Sequence, residues 1–140
     1  MTRLTIRIDF DGSEGFGPGK ARMLELIEEL GSIRSAAAAM NMSYRHAWLL
    51  MQAAEDTFGA PLLTTSTGGS GGGGTKLTEL GKTVLARYRA IETQAARATA
   101  GDLTELSKVA AGSLMQNTPA NVATTPNGKR ATSRPSRRTL

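Results

Sequence analysis

Gly31-Ser-Ile-Arg-Ser-Ala-Ala-Ala-Ala-Met-Asn-Met-Ser-Tyr-Arg-His-Ala-Trp-Leu-Leu-Met-Gln-Ala-Ala-Glu-Asp-Thr-Phe58 decides how this chain of 140 residues folds. Ile33, Ala36, Ala37 and Met40 recur at the spacing of one helix face, and Ser32 stands where the N-cap belongs. Asn41-Met42 stops that helix, because asparagine tolerates the left-handed backbone of a tight turn. Ser43 then caps a second helix whose inward stripe is Ala47, Met51, Ala54 and Phe58. The alanines at 36 to 39 let the neighbouring helix cross closely at a steep angle. The stretch predicts a helix-turn-helix.

On the second helix, Ser43, Tyr44, Arg45, His46, Trp48, Leu49 and Gln52 fall outside the inward stripe. Hydroxyls, a guanidinium and flat aromatic rings are the groups that meet base edges, thymine methyls and phosphates in a major groove. The bland alternative is that Trp48 belongs to the core, as single tryptophans usually do. Ser32 and Arg34, at the start of the first helix of the pair, join the candidate surface.

The net charge of +5 suggests a nucleic-acid partner until its distribution is read. Lys129, Arg130, Arg134, Arg137 and Arg138 follow residue 116 with no acid among them, whereas the residues before carry 12 basic and 12 acidic side chains. Local sign is more informative: Arg34, Arg45 and His46 occur between residues 31 and 52 with no acid, while Glu25, Glu28 and Glu29 crowd the helix before. These glutamates read as a solvated face. The absence of cysteine removes disulfides and thiolate sites, and one histidine argues against a histidine-bound zinc. No metal or cofactor is expected. No apolar run reaches the roughly 20 residues of a membrane span, and the start of the chain lacks a signal peptide's apolar region. A cytoplasmic protein with no membrane partner is expected.

Outward from the central stretch, residues 2 to 9 alternate Leu4, Ile6 and Ile8 against Arg3, Thr5 and Arg7, which predicts a half-buried strand. A glycine-rich loop follows, and Lys20 to Leu30 predicts a helix with Met23, Leu26, Ile27 and Leu30 inward. After Gly59-Ala-Pro61, a strand is expected over Leu62 to Ser66 and another over Lys76 to Thr78. The glycine-rich tip between them sits where a wing belongs, and Gly69, Ser70, Gly71, Gly72 and Lys76 are its candidate phosphate contacts. From Glu79 a long helix carries Val84, Tyr88, Ile91, Ala95 and Ala98 at alternating spacings of four and three, the seam of a helix pair. That seam predicts a homodimer, with packing on the chain's own domain as the alternative. Leu103, Leu106, Ala110 and Leu114 suggest a short last helix, and beyond it the composition predicts a disordered basic tail. The expected division is therefore 1–100 for the winged helix-turn-helix with its dimerisation helix, 101–116 for a helical extension and 117–140 for the tail.

Two other chemistries fail on spacing. Gly69-x-Gly71-x-x-Gly74 matches a dinucleotide fingerprint, but an expected strand rather than a helix follows it. The lysine of a phosphate-binding P-loop should follow Gly74 directly, and Thr75 intervenes. His46 is the single candidate base and has no nucleophile at motif spacing, so no enzyme is expected.

Gly31-Ser-Ile, the alanine run, Met42-Ser-Tyr-Arg-His-Ala-Trp48, Pro61-Leu-Leu, the glycines from 68 to 74 and Leu77-Thr-Glu-Leu-Gly81 together resemble the N-terminal DNA-binding domain of the molybdate-responsive ModE family of transcription regulators. More distantly, the order of elements resembles the winged helix-turn-helix of LysR-type regulators. The resemblance covers roughly residues 20 to 92. It implies a mainly α fold with a small β-hairpin wing, a dimer joined through the long helix after the wing, and a palindromic operator in double-stranded DNA. Carried to this chain, it implies that Ser43, Tyr44, Arg45 and Trp48 face DNA and that Gly68 to Lys76 form the wing. Full-length members follow this domain with molybdate-binding β-barrel modules, and residues 101–140 do not read as one, so a small-molecule effector is left open. The alternative class is a winged-helix adaptor that docks a protein through Tyr44, Trp48 and Leu49.

Overall fold

The computed structural model describes residues 2–66 and 74–116, with the side chains of 113–116 excepted. In chain order these form α1 (Pro18–Leu30), α2 (Ile33–Ala39), α3 (Tyr44–Phe58), β1 (Leu63–Ser66), β2 (Gly74–Leu77), α4 (Glu79–Ala98) and α5 (Ala100–Gln116). The chain divides into two compact units, Arg3–Arg97 and the remainder.

Within Arg3–Arg97, α1 begins two residues earlier than its apolar spacing suggests, because Pro18 supplies a preset φ where no amide hydrogen is needed. Met23, Leu24, Leu26 and Ile27 are buried, but Leu30 is exposed, since the helix ends there at Gly31. The next two helices follow the sequence reading closely. Ser32 Oγ accepts from Ser35 N at 3.0 Å and Ser43 Oγ accepts from His46 N at 3.0 Å, so both expected N-caps are formed. Asn41 makes the turn between them with a φ of 58°. Ala36, Ala37, Ala47, Met51 and Ala54 meet in the core, and the small alanines permit the close crossing of α2 and α3.

β1 and β2 pair antiparallel, with Leu63 opposite Leu77 and Ser66 opposite Gly74. Four hydrogen bonds tie this hairpin and the residue before it to the helices and their caps. Thr75 N donates to Gly31 O at 2.8 Å, Leu77 N to Glu28 Oε1 at 3.0 Å, and Glu55 Oε2 accepts from Leu62 N and Leu63 N at 2.9 and 3.2 Å. The Leu77-Thr-x-x-Gly81 sequence now has a physical reason. Thr78 Oγ1 donates to Pro61 O at 2.9 Å and accepts from Gly81 N at 3.0 Å, capping α4 and fixing the strand before it. A Cβ on residue 81 would collide with the Leu62 carbonyl oxygen, so the helix passes the strand this closely only with glycine there. The architecture is a winged helix-turn-helix of mainly α character.

Three expectations need correction. Residues 2 to 9 are extended but form no strand: Ile8 and Phe16 exchange a single pair of 2.8 Å backbone hydrogen bonds. The partner segment runs into α1 at Pro18, so it has no further length to pair, and Leu4 is left partly exposed. Second, the glutamates of α1 are not merely solvated. Glu25 bridges Arg89 at 2.8 Å and Arg22 at 3.2 Å, and Glu28 holds Leu77 N. Arg89, ahead of the other causes, holds the Glu25 carboxyl below its ordinary range.

Third, the expected seam on α4 splits. Val84 and Tyr88 lie in the chain's own core, with Tyr88 only 2% exposed and its hydroxyl donating to Ile6 O at 2.6 Å. Burial first, then the Glu92 carboxylate, push that phenol above its ordinary range, so it stays protonated as the donor. Ile91, by contrast, is 42% exposed, Ala95 is half-buried and Ala98 is exposed. In the other unit, α5 runs over Ala100–Gln116, and Leu106 and Val109 are both exposed. The 117–140 tail lies outside the described residues.

Candidate nucleic-acid interface

The outward face of α3 is fixed by what its inward face does. Ala47, Met51 and Ala54 are at most 1% exposed, and a straight helix that buries those positions turns its first two turns of remaining residues outward. Tyr44, Trp48 and Leu49 are 44%, 42% and 45% exposed. Trp48 therefore lies outside the core, against the bland alternative. Arg45 and His46 are exposed beside them, and Gln52 is half-buried one turn on. A surface with so much uncovered aromatic and aliphatic area, next to a cation, is unusual for a side chain set meant only for water.

The two serines have dual capacity. Ser32 Oγ and Ser43 Oγ each accept a backbone hydrogen bond as N-caps, which leaves the hydroxyl proton free to donate outward. Arg34 joins α2 to α3: its Cζ lies 4.8 Å from the centre of the Tyr44 ring. Stacking of this kind holds both side chains in place while leaving the guanidinium edges able to donate. The pair was not legible in the sequence, because its members sit on different helices and no spacing rule links them. Lys76 is exposed on β2 opposite Thr64. Gly69, Ser70, Gly71 and Gly72 lie outside the described residues.

Ser32, Arg34, Ser43, Tyr44, Arg45, His46, Trp48 and Leu49 thus come from one helix pair. No acid occurs from 31 to 52, so the charged side chains this stretch brings to the surface, Arg34 and Arg45, are both positive. Such a surface can donate hydrogen bonds to phosphate oxygens and base acceptors and can present apolar area to thymine methyls.

Comparison with known proteins follows the same outline. Residues 19–82 match the bacterial regulatory helix-turn-helix proteins of the lysR family. The chain is 38% identical over 93 residues to the molybdenum transport protein ModE of Azotobacter vinelandii, covering 65% of this chain and 34% of that protein. It is 34% identical over 91 residues to the transcriptional regulator ModE of Haemophilus influenzae, covering 65% and 36%. A crystal structure of a complex of the CbnR DNA-binding domain with DNA superposes with a TM-score of 0.50 at 27% identity, covering 64% of this chain and 95% of that one. The chain spans about a third of the length of the curated relatives it matches.

Proposed function

We propose, on the premise that residues 19–82 are a helix-turn-helix domain of the lysR regulatory type, that the chain is a sequence-specific DNA-binding transcriptional regulator. The observation that carries this reading is the start of α3, where Tyr44, Arg45, Trp48 and Leu49 project from a helix whose other face is locked in the core. Laid in the major groove, this face puts Arg45 within reach of a guanine edge or a phosphate, and the Arg34–Tyr44 stack beside it on the backbone. Ser32 and Ser43 donate to phosphates, His46, Trp48, Leu49 and Gln52 extend the contact, and Lys76 with the wing glycines approaches the adjacent backbone.

The protein acts as a homodimer on this reading, joined through the far half of α4. Ile91 is the large apolar residue of the expected seam that the chain's own core leaves uncovered. Two recognition helices related by a twofold axis read an inverted repeat with half-sites about one helical turn, or a multiple of it, apart. The names of the ModE relatives support control of molybdenum-related genes.

Selection of duplex fragments from a random pool by the purified chain, at near-physiological salt, tests all of this. The expected result is enrichment of an inverted repeat. Arg45→Ala should then cost about 1–3 kcal/mol and relax the preference at one base position if Arg45 reads a base, or weaken every sequence alike if it holds a phosphate. Recovery of DNA with no shared sequence would overturn the reading and leave the exposed Tyr44, Trp48 and Leu49 as a protein-docking face.

A further inference from the structure

We propose, resting on the start of α3 as the DNA-reading face, that Leu49 is a specificity-determining residue that covers the 5-methyl group of a thymine in the operator. Two adjacent leucines of α3 have opposite fates. Leu50 packs against the core, whereas Leu49 lies outside it and is exposed.

The helix itself fixes where Leu49 points. Ala47, Met51 and Ala54 bury one stripe of α3. Successive side chains of an α-helix are turned by about 100°, so the direction opposite that stripe belongs to Arg45, Leu49 and Gln52. Tyr44 and Trp48 fall to one side of this line, and Arg34 of α2 stacks on the Tyr44 ring. His46 falls to the other side. The usable line ends at Gln52, because its next member is the exposed Asp56, whose carboxylate phosphates repel. Scattered exposed leucines are ordinary on a protein surface. Leu49 instead stands in the middle of the line that a groove-binding helix turns to the bases, about one turn from Arg45 and from Gln52.

Chemistry then selects the base. An aliphatic side chain neither donates nor accepts a hydrogen bond. Pressed against the polar edge of guanine, adenine or cytosine, it takes donors and acceptors out of water with nothing in return. Thymine carries an apolar group on its major-groove edge, the 5-methyl, which a leucine covers at a gain. The neighbours leave that role to Leu49. Arg45 and Gln52 have the donors that suit guanine and adenine, and the Tyr44 ring is occupied by Arg34.

The test starts from the operator that the full chain selects from a random pool, resynthesised with each thymine in turn replaced by deoxyuridine. That change deletes the methyl group and keeps the hydrogen-bonding edge. At one thymine of each half-site it should weaken binding about fourfold, the effect of uncovering one methyl group. Leu49→Ala should bind the thymine and deoxyuridine operators alike, while Leu49→Met, which keeps an apolar side chain, should retain the difference. Both proteins meet the same DNA, so a change in the duplex itself cancels from this comparison. The proposal is overturned, with DNA reading intact, if deoxyuridine is tolerated at every position. It is equally overturned if Leu49→Ala stays as sensitive to the methyl group as the parent chain, or if Trp48→Ala abolishes the difference and Leu49→Ala does not. Recovery of no shared sequence in the first selection would overturn the regulatory reading itself, and this inference with it.

Discussion

The middle of α4 and the start of α3 carry similar side chains, an aromatic ring, aliphatic residues and an arginine in close succession, and the molecule uses them in opposite ways. Tyr88 is 2% exposed and Arg89 is held between two carboxylates; Trp48 is 42% exposed and Arg45 stands open to solvent. Nothing in the residue types distinguishes the two sets. What differs is the chain placed opposite them. The N-terminal segment and α1 lie over α4, with Ile6 O receiving the Tyr88 hydroxyl and Glu25 the Arg89 guanidinium, while α3 packs into the core chiefly through its alanine and methionine side. A side chain is structural where the fold supplies a partner and free for recognition where it does not.

The sharpest way to break this contrast is at Tyr88. Tyr88→Ala removes a fully buried ring and should destabilise the chain by about 3–5 kcal/mol in a denaturant titration. Tyr88→Phe keeps the ring and strands only the Ile6 carbonyl, for a loss of about 1 kcal/mol. If the alanine variant cost less than about 1 kcal/mol, α4 would not be anchored where the structure puts it, and Tyr88 would return to the candidate seam. Next in size is Gly81→Ala, whose methyl group would meet the Leu62 carbonyl oxygen. Displacing that strand should cost about 1–3 kcal/mol, and the melting temperature should fall accordingly.

Smaller still, and dependent on pH, is the contribution of Glu25. Its carboxyl is held below the ordinary range chiefly by the hydrogen bond from Arg89. A depressed folded-state value means that the stabilisation is fully present above the unfolded carboxyl's range, near pH 4.3, and is lost as pH falls through the lower folded value. Glu25→Gln should therefore lower the melting temperature at pH 7 and leave it nearly unchanged at the acid end of that window. Because the pair is partly exposed, the effect at neutral pH is about 1 kcal/mol or less. An equal deficit at both pH values would mean that the glutamine disturbs packing rather than charge.

These same residues mark how far the sequence could be read. The capped helix pair was legible because its signals are local: Ser32 and Ser43 lie three residues from the amides they cap, and Asn41 carries its own turn preference. The outward face of α3 followed from periodicity. The fate of Val84 and Tyr88 did not, since a seam at spacings of four and three looks alike whether it meets a second copy or the chain's own core. Tyr88 is 82 residues from its hydrogen-bond partner, Arg89 is 64 from Glu25, and Leu77 is 49 from Glu28. The strand expected over residues 2 to 9 failed for the same kind of reason: alternation describes the segment itself and says nothing of the length of its partner, which here ends at Pro18.

The smallest expected change in stability belongs to Trp48, and it is the one that sharpens the comparison most. Truncating a large aromatic side chain is usually among the costliest substitutions, but the cost comes from lost burial, and Trp48 is 42% exposed and lies outside the buried core. Trp48→Ala should therefore change the unfolding free energy by about 0.5 kcal/mol or less, in contrast to the Tyr88→Ala loss. If the start of α3 is the reading surface, the same variant should lose affinity for a selected operator about tenfold or more, because the part of the ring left open in the free protein is covered when DNA is bound. A stability loss above about 2 kcal/mol would place Trp48 with Tyr88 as a packing residue. Unchanged stability with unchanged operator affinity would move the contact surface toward Arg34, Tyr44 and Arg45, and a variant that folds normally yet binds poorly is the result that separates the two regions by function.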